Sequence, residues 1–189
     1  AGADLAVGCT YKYLNGGPGS PAFCYVAERW QDELAQPITG WMGADRPFDM
    51  GPDFQPARGI RRMLSGTPPV VGMLAMRDML TLLDEVGVDA VRAKSVALTE
   101  HAVAVAEQLL APYDVRLASP RDPERCGGHV TLDHPLMREV TAALWARDVI
   151  PDFRAPQGLR VGLSPLSTSF AEVSAGLELV RDELARLAR

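Results

Sequence analysis

The apolar and polar positions divide the chain into two parts of different character. Asp4 to Cys9 alternates, with Leu5, Val7 and Cys9 on one face, and predicts a short strand. Asn15-Gly16-Gly17-Pro18-Gly19 follows and must be a loop, since that glycine density breaks any regular element. Ala22 to Glu28 is apolar nearly throughout and predicts a second, buried strand. Pro37 to Arg58 is dense in proline and glycine and reads as irregular. It also carries Trp41, Phe48 and Phe54, so it is expected to pack on something.

After the breaker Ser65-Gly66-Thr67-Pro68-Pro69 the pattern turns helical. Helices are predicted over Val70 to Val86 and Asp89 to Leu110, then strands over Tyr113 to Ala118 and Gly128 to Leu132. Pro135 to Ala146 reads as a helix with proline in its first turn, where a missing N–H does no harm. Short strands are expected at Val149 to Phe153 and Leu159 to Leu163. A closing helix runs from Phe170 to Leu187, with Ser169 as N-cap and Glu172 completing a capping box. The order helix, helix, strand, strand, helix, strand, strand, helix predicts a layered α/β subdomain of about 110 residues. The strands of the first third belong to a different sheet.

Composition narrows the class. The chain has 189 residues, 47% hydrophobic and 23% charged, as in ordinary globular chains and unlike disordered or collagen-like ones. Its formal charge of -5 argues against nucleic acid as a partner, because phosphate binding needs a basic face. No apolar run approaches the roughly 20 residues of a membrane helix. Three cysteines make no disulfide framework and fit a reducing compartment, so the expected location is the cytoplasm. Cys9 and Cys24 are expected in the core as small apolar residues. The chain begins with Ala1 rather than Met and runs at once into a strand, which suggests the later part of something longer.

Few residues carry chemistry. Lys12 lies between Tyr11 and Tyr13, after a strand and before the glycine loop. It is either a solvated strand-end lysine or a Schiff-base lysine held and partly desolvated by its neighbours. Asn15 to Gly19 lacks the spacing of a dinucleotide loop or a P-loop, and suits a close approach of backbone to a cofactor or a second subunit. Cys126, His129 and His134 do not have zinc spacing. No nucleophile elbow is present. Arg160 stands alone in the apolar run Gly158 to Leu163. It is either a strand-edge ion-pair residue or a fork for a substrate carboxylate.

Taken together, these segments resemble the kynureninases. The likeness rests on CTYKYLNGGPG from Cys9 to Gly19, Gly40-Trp41, SGTPP from Ser65 to Pro69 and RAKSVALTEH from Arg92 to His101. It continues through RCGGHVTL from Arg125 to Leu132 and GLRVGLSPLSTSF from Gly158 to Phe170. The resemblance implies an α/β fold of the aspartate-aminotransferase type (fold type I), a pyridoxal 5'-phosphate cofactor and a homodimer. It implies the end of the large cofactor domain over residues 1–75, and over 76–189 a linking helix with the complete small domain. Lys12 would carry the cofactor and move the α-proton. Tyr11 would contact the cofactor phosphate and act in proton transfer. Trp41 would reach the phosphate of the neighbouring subunit's cofactor. Thr67 sits in a turn where some members carry Asn, and Arg160 would bind the substrate α-carboxylate.

The implied reaction is hydrolytic cleavage of the Cβ–Cγ bond of L-kynurenine or 3-hydroxykynurenine, giving anthranilate or its 3-hydroxy form and L-alanine. In this family the residues that stack on the ring and pair with its nitrogen precede the lysine. Activity is therefore expected to need an upstream part, and the isolated chain is expected to aggregate or to be partly unfolded. The alternatives are another enzyme of the same fold, such as a cysteine desulfurase or an aminotransferase, and a non-catalytic truncated product.

Overall fold

The computed structural model describes residues 2–49 and 51–188. The chain divides into two compact units, Ala1–Leu82 and Leu83–Arg189.

In the first unit, β1 (Leu5–Cys9) and β2 (Ala22–Val26) form an antiparallel ribbon, with Val7 opposite Cys24. The phenyl ring of Phe23 lies across Gly8, where a Cβ would stand 2.6 Å from it. The loop between the strands is closed by its own backbone: the Gly16 N–H donates to Thr10 and the Asn15 N–H to Lys12. The chain turns there through left-handed conformations at Asn15, Gly17 and Gly19. A short helix α1 (Glu28–Gln31) follows β2. Its Trp30 indole and Arg29 guanidinium both donate to Asp4 at the start of β1.

The buried second strand predicted from sequence is not what forms. Phe23, Tyr25 and Cys24 are exposed, as is Cys9, so neither cysteine is a core residue. A two-stranded ribbon has too little sheet to cover its own faces. The irregular segment contains 3-10 turns at Trp41–Gly43 and Gly59–Met63 and an Ala44–Pro56 bridge. Among the described residues its aromatic ring contact is Trp41 against Phe48, ring centroids 5.7 Å apart, and Phe48 stays 78% exposed. Helix α2 (Val70–Val86) starts against the glycine loop: Gly72 sits so close to the Gly19 carbonyl that a Cβ would stand 2.3 Å from it.

The second unit holds the core. Helix α3 (Val88–Leu110) buries Leu98, Ala102, Ala106 and Leu110, one stripe at helical spacing. After a 3-10 turn come β3 (Arg116–Leu117), β4 (His129–Asp133), α4 (Met137–Trp145), β5 (Asp152–Arg154), β6 (Gly158–Gly162) and α5 (Phe170–Leu187). The four strands form an antiparallel sheet in the order β3-β4-β6-β5. Met137, Val140 and Leu144 of α4 and Val173, Leu177, Val180 and Leu184 of α5 complete one cluster with Val130, Leu132 and Leu159. Each fully buried Leu or Val there contributes about 1.5–3 kcal/mol of transfer free energy.

The expected element order holds in this unit, with boundary differences that have local causes. The strand predicted at Tyr113 to Ala118 shrinks to two residues, because Ala111–Tyr113 forms the 3-10 turn and Asp114 takes the left-handed conformation. The strand predicted to end at Phe153 begins later and includes Arg154. His101 joins α3 to α5, bonded to Ser174 at 2.8 Å and edge-on to Phe170.

Candidate active site

Tyr11 and Lys12 leave β1 together, at the mouth of the glycine loop. Both are exposed, and the Lys12 Nζ stands 5.2 Å from the centre of the Tyr11 ring. Two glycines hold other segments of the same unit in place. Gly72 lets α2 meet the loop at Gly19, and Gly40, next to Trp41, lies against the Ser65 backbone. The Ser65 carbonyl also accepts from the Met42 N–H, which ties the Trp41 turn to the turn that carries Thr67. Trp41 and Thr67 are both exposed. A cleft of about 1020 Å³ in this unit lies elsewhere, between Trp41 and Arg58, and neither Tyr11 nor Lys12 lines it.

In the second unit the sheet register sorts the side chains onto two faces. Directly opposed residues share a face, and alternate residues along a strand return to it. Leu117, Val130, Leu132, Phe153, Leu159 and Val161 therefore share one face, which packs into the core. The other face is polar. Thr131, Arg160 and Asp152 lie in one row across β4, β6 and β5, while Asp133, Gly158 and Arg154 lie in the next. His129 stands opposite Gly162, where a Cβ would meet nothing within 4 Å.

Arg160 is the centre of that face. Its Nε donates to Asp152 Oδ1 at 3.0 Å and its Nη2 to Oδ2 at 2.5 Å. Arg154 grips the same carboxylate at 3.1 and 2.9 Å. Burial acts to raise the Asp152 carboxyl, but the hydrogen bonds and charges of the two arginines outweigh it and hold the group below its usual range. His129 is pushed down by partial desolvation and then by the Arg160 charge, with Asp152 opposing. Arg116 and Asp133 form a neighbouring ion pair, at 2.5 Å.

Lys12, Tyr11, Trp41 and Thr67 thus belong to the first unit and Arg160 to the second. Sequence reading missed Asp152 and Arg154. The signal is available in the sequence: a hairpin centred on Pro156 pairs 152 with 160 and 154 with 158, which carries the strand one residue past Phe153. Among the described residues no group of three or more His, Cys, Asp and Glu side chains could hold a metal ion.

Comparison with known proteins adds a family. Residues 91–180 match the model of the kynureninase C-terminal domain. A kynureninase of Burkholderia mallei is 46% identical over 182 residues, covering 96% of this chain and 44% of that protein. The chain thus spans less than half the length of the curated relatives it matches. In structure it superposes on the apo cysteine desulfurase of Thermococcus onnurineus with a TM-score of 0.76, at 18% identity, over 97% of this chain and 47% of that one. A mutant of C-DES with glycine covalently linked to its PLP cofactor superposes with a TM-score of 0.61, at 19% identity, over 89% of this chain and 42% of that one. At such identities these two matches establish the shared fold and nothing finer.

Proposed function

We propose, from the premise that this chain belongs to the kynureninase family, that it supplies the C-terminal part of a pyridoxal-phosphate enzyme that hydrolyses the Cβ–Cγ bond of L-kynurenine or 3-hydroxykynurenine. The products are L-alanine and anthranilate or 3-hydroxyanthranilate. In this reading residues 1–75 end the large cofactor domain and 76–189 hold the linking helix and the small domain. The enzyme acts as a cytoplasmic homodimer with cofactor sites shared between subunits.

The donor set fits the cofactor. Lys12 offers a primary amine, beside the Tyr11 ring, on a loop closed by its own backbone hydrogen bonds. The Tyr11 hydroxyl, the Trp41 indole and the Thr67 hydroxyl are donors suited to a phosphate. When bound, the cofactor supplies an electron sink for charge developing at the substrate α-carbon. The residues of this chain do the rest. Lys12 holds the cofactor through its amine and moves the α-proton. Tyr11 delivers a proton near the γ-carbon. Trp41 reaches the phosphate of the neighbouring subunit's cofactor. Arg160 binds the α-carboxylate, which orients the substrate so that the breaking bond aligns for cleavage.

The observation that carries this reading is Arg160, an arginine set in an otherwise apolar strand and presented on the polar face of the sheet, within the segment that matches the kynureninase C-terminal domain. The test is anthranilate release, followed by fluorescence, from L-kynurenine with the full natural protein and pyridoxal phosphate. Wild type should turn over, Lys12→Ala should not, and Arg160→Ala should raise KM. Sulfide from cysteine without anthranilate from kynurenine would instead assign the protein to the desulfurases that share its fold.

A further inference from the structure

The Arg160 guanidinium is not idle before a ligand arrives. Its Nε and one Nη2 hydrogen are taken by Asp152. A guanidinium has five N–H donors, so three remain, and all lie at its Nη1/Nη2 end. Arg154 uses the same edge on the same carboxylate, so Asp152 accepts four hydrogen bonds, two on each oxygen. That saturates the roughly four acceptor positions of a carboxylate. Asp152 has no capacity left for a ligand, and its role is exhausted by the two arginines.

We propose that Asp152 is the positioning residue of the carboxylate site: it pins the side edge of Arg160 so that the end-on fork is the part presented to the substrate. This inference rests on the carboxylate-binding reading of Arg160 and deepens it. Two features of the face agree with the assignment. Arg154, Arg160 and Asp152 together carry one net positive charge, and the adjacent Arg116–Asp133 pair carries none, so the cluster is matched to a single carboxylate. Arg160 is also only half-buried, with a side chain 34% exposed. Without a partner, a long side chain at that exposure samples many rotamers, and binding must then order it. Removing Asp152 would also make the face more positive, which favours any anion. Because Asp152 is 40% exposed, solvent screens that gain, and the loss of orientation is the larger effect.

The experiment is steady-state kinetics of the full natural protein with L-kynurenine, together with the shift in melting temperature that L-kynurenine gives the cofactor-free protein. Asp152→Ala should raise KM about tenfold, the scale of one charge-assisted hydrogen-bond pair, with kcat changed less than about threefold. The ligand-induced melting shift should shrink in parallel. Asp152→Asn, which keeps the shape and one uncharged acceptor, should give an intermediate KM and guards against a folding defect in the Ala variant. In an Arg160→Ala background, Asp152→Ala should have no further effect on KM, because Asp152 acts only through that guanidinium. An Asp152→Ala KM that is unchanged or lower, beside a raised Arg160→Ala KM, would overturn the positioning role and leave the carboxylate site standing. An unchanged Arg160→Ala KM would overturn both.

Discussion

Gly72 is where helix propensity and packing make opposite predictions. It lies in the first turn of α2, and helix propensity alone favours Gly→Ala there by roughly 0.5–1 kcal/mol. The structure opposes this. A Cβ at Gly72 would stand 2.3 Å from the Gly19 carbonyl oxygen and 3.2 Å from its carbon. Real Cβ contacts do not close below 3.0 Å, so α2 or the loop must shift by at least 0.7 Å. The obstacle is backbone in a loop that is itself fixed by hydrogen bonds, and it cannot swing aside as a side-chain tip would. Forced shifts of this kind cost about 1–3 kcal/mol, more than propensity returns. Gly72→Ala is therefore expected to destabilise by about 1–2 kcal/mol net. Gly176, in the middle of α5, is the control: a Cβ there meets nothing within 4 Å, so Gly176→Ala should stabilise by about 0.5–1 kcal/mol. Urea melts of the full natural protein and both variants measure the pair. A Gly72→Ala variant as stable as wild type, or as stable as Gly176→Ala, would refute the close approach of α2 to the glycine loop.

Other consequences follow from the second unit. Ser169 accepts from the Glu172 N–H while Glu172 accepts from the Ser169 N–H, so Ser169→Ala should cost about 0.5–2 kcal/mol in a denaturant melt. Leu159 is fully buried in β6 beside Arg160, and Leu159→Ala should lower stability by about 2–5 kcal/mol in the same assay. The Glu183 carboxyl is held below its usual range by its hydrogen bond to Arg186 and, against burial, by Arg147. A depressed acid stabilises the fold at pH above its unfolded value and loses that contribution as pH falls through the folded one. The stability difference between wild type and Glu183→Gln should therefore be full at pH 7, begin to shrink as pH falls past the ordinary glutamate value of about 4.3, and be lost only below the depressed folded value, as read by melts across that range.

The elements of the second unit were legible because each states its environment in its own residues. Helix α3 shows its buried stripe at Leu98, Ala102, Ala106 and Leu110, and α5 carries its start signal at Ser169 and Glu172. The first unit was misread for the converse reason. Phe23, Cys24 and Tyr25 have the composition of a central strand, but composition cannot say how many neighbours a strand has. Among the described residues this strand pairs with β1 alone, and the ribbon leaves them exposed.

The candidate site divides along a different line. Arg160 stood out as a lone cation in an apolar run, and Lys12 because it stands between two tyrosines, after a strand and before the glycine loop. Asp152 did not, because an aspartate after Pro151 near a turn is unremarkable until its partner is known. Its meaning is a matter of register: only when β5 runs antiparallel to β6 does residue 152 face residue 160. Register depends on where the turn is centred, and a one-residue slip would have sent Asp152 to the apolar face. Phe153 excludes that slip, since it must lie against Leu159 and the core. The same alternation that buries Phe153 therefore delivers Asp152 and Arg154 to Arg160, so the apolar core fixes the geometry of the charged cluster on the opposite face.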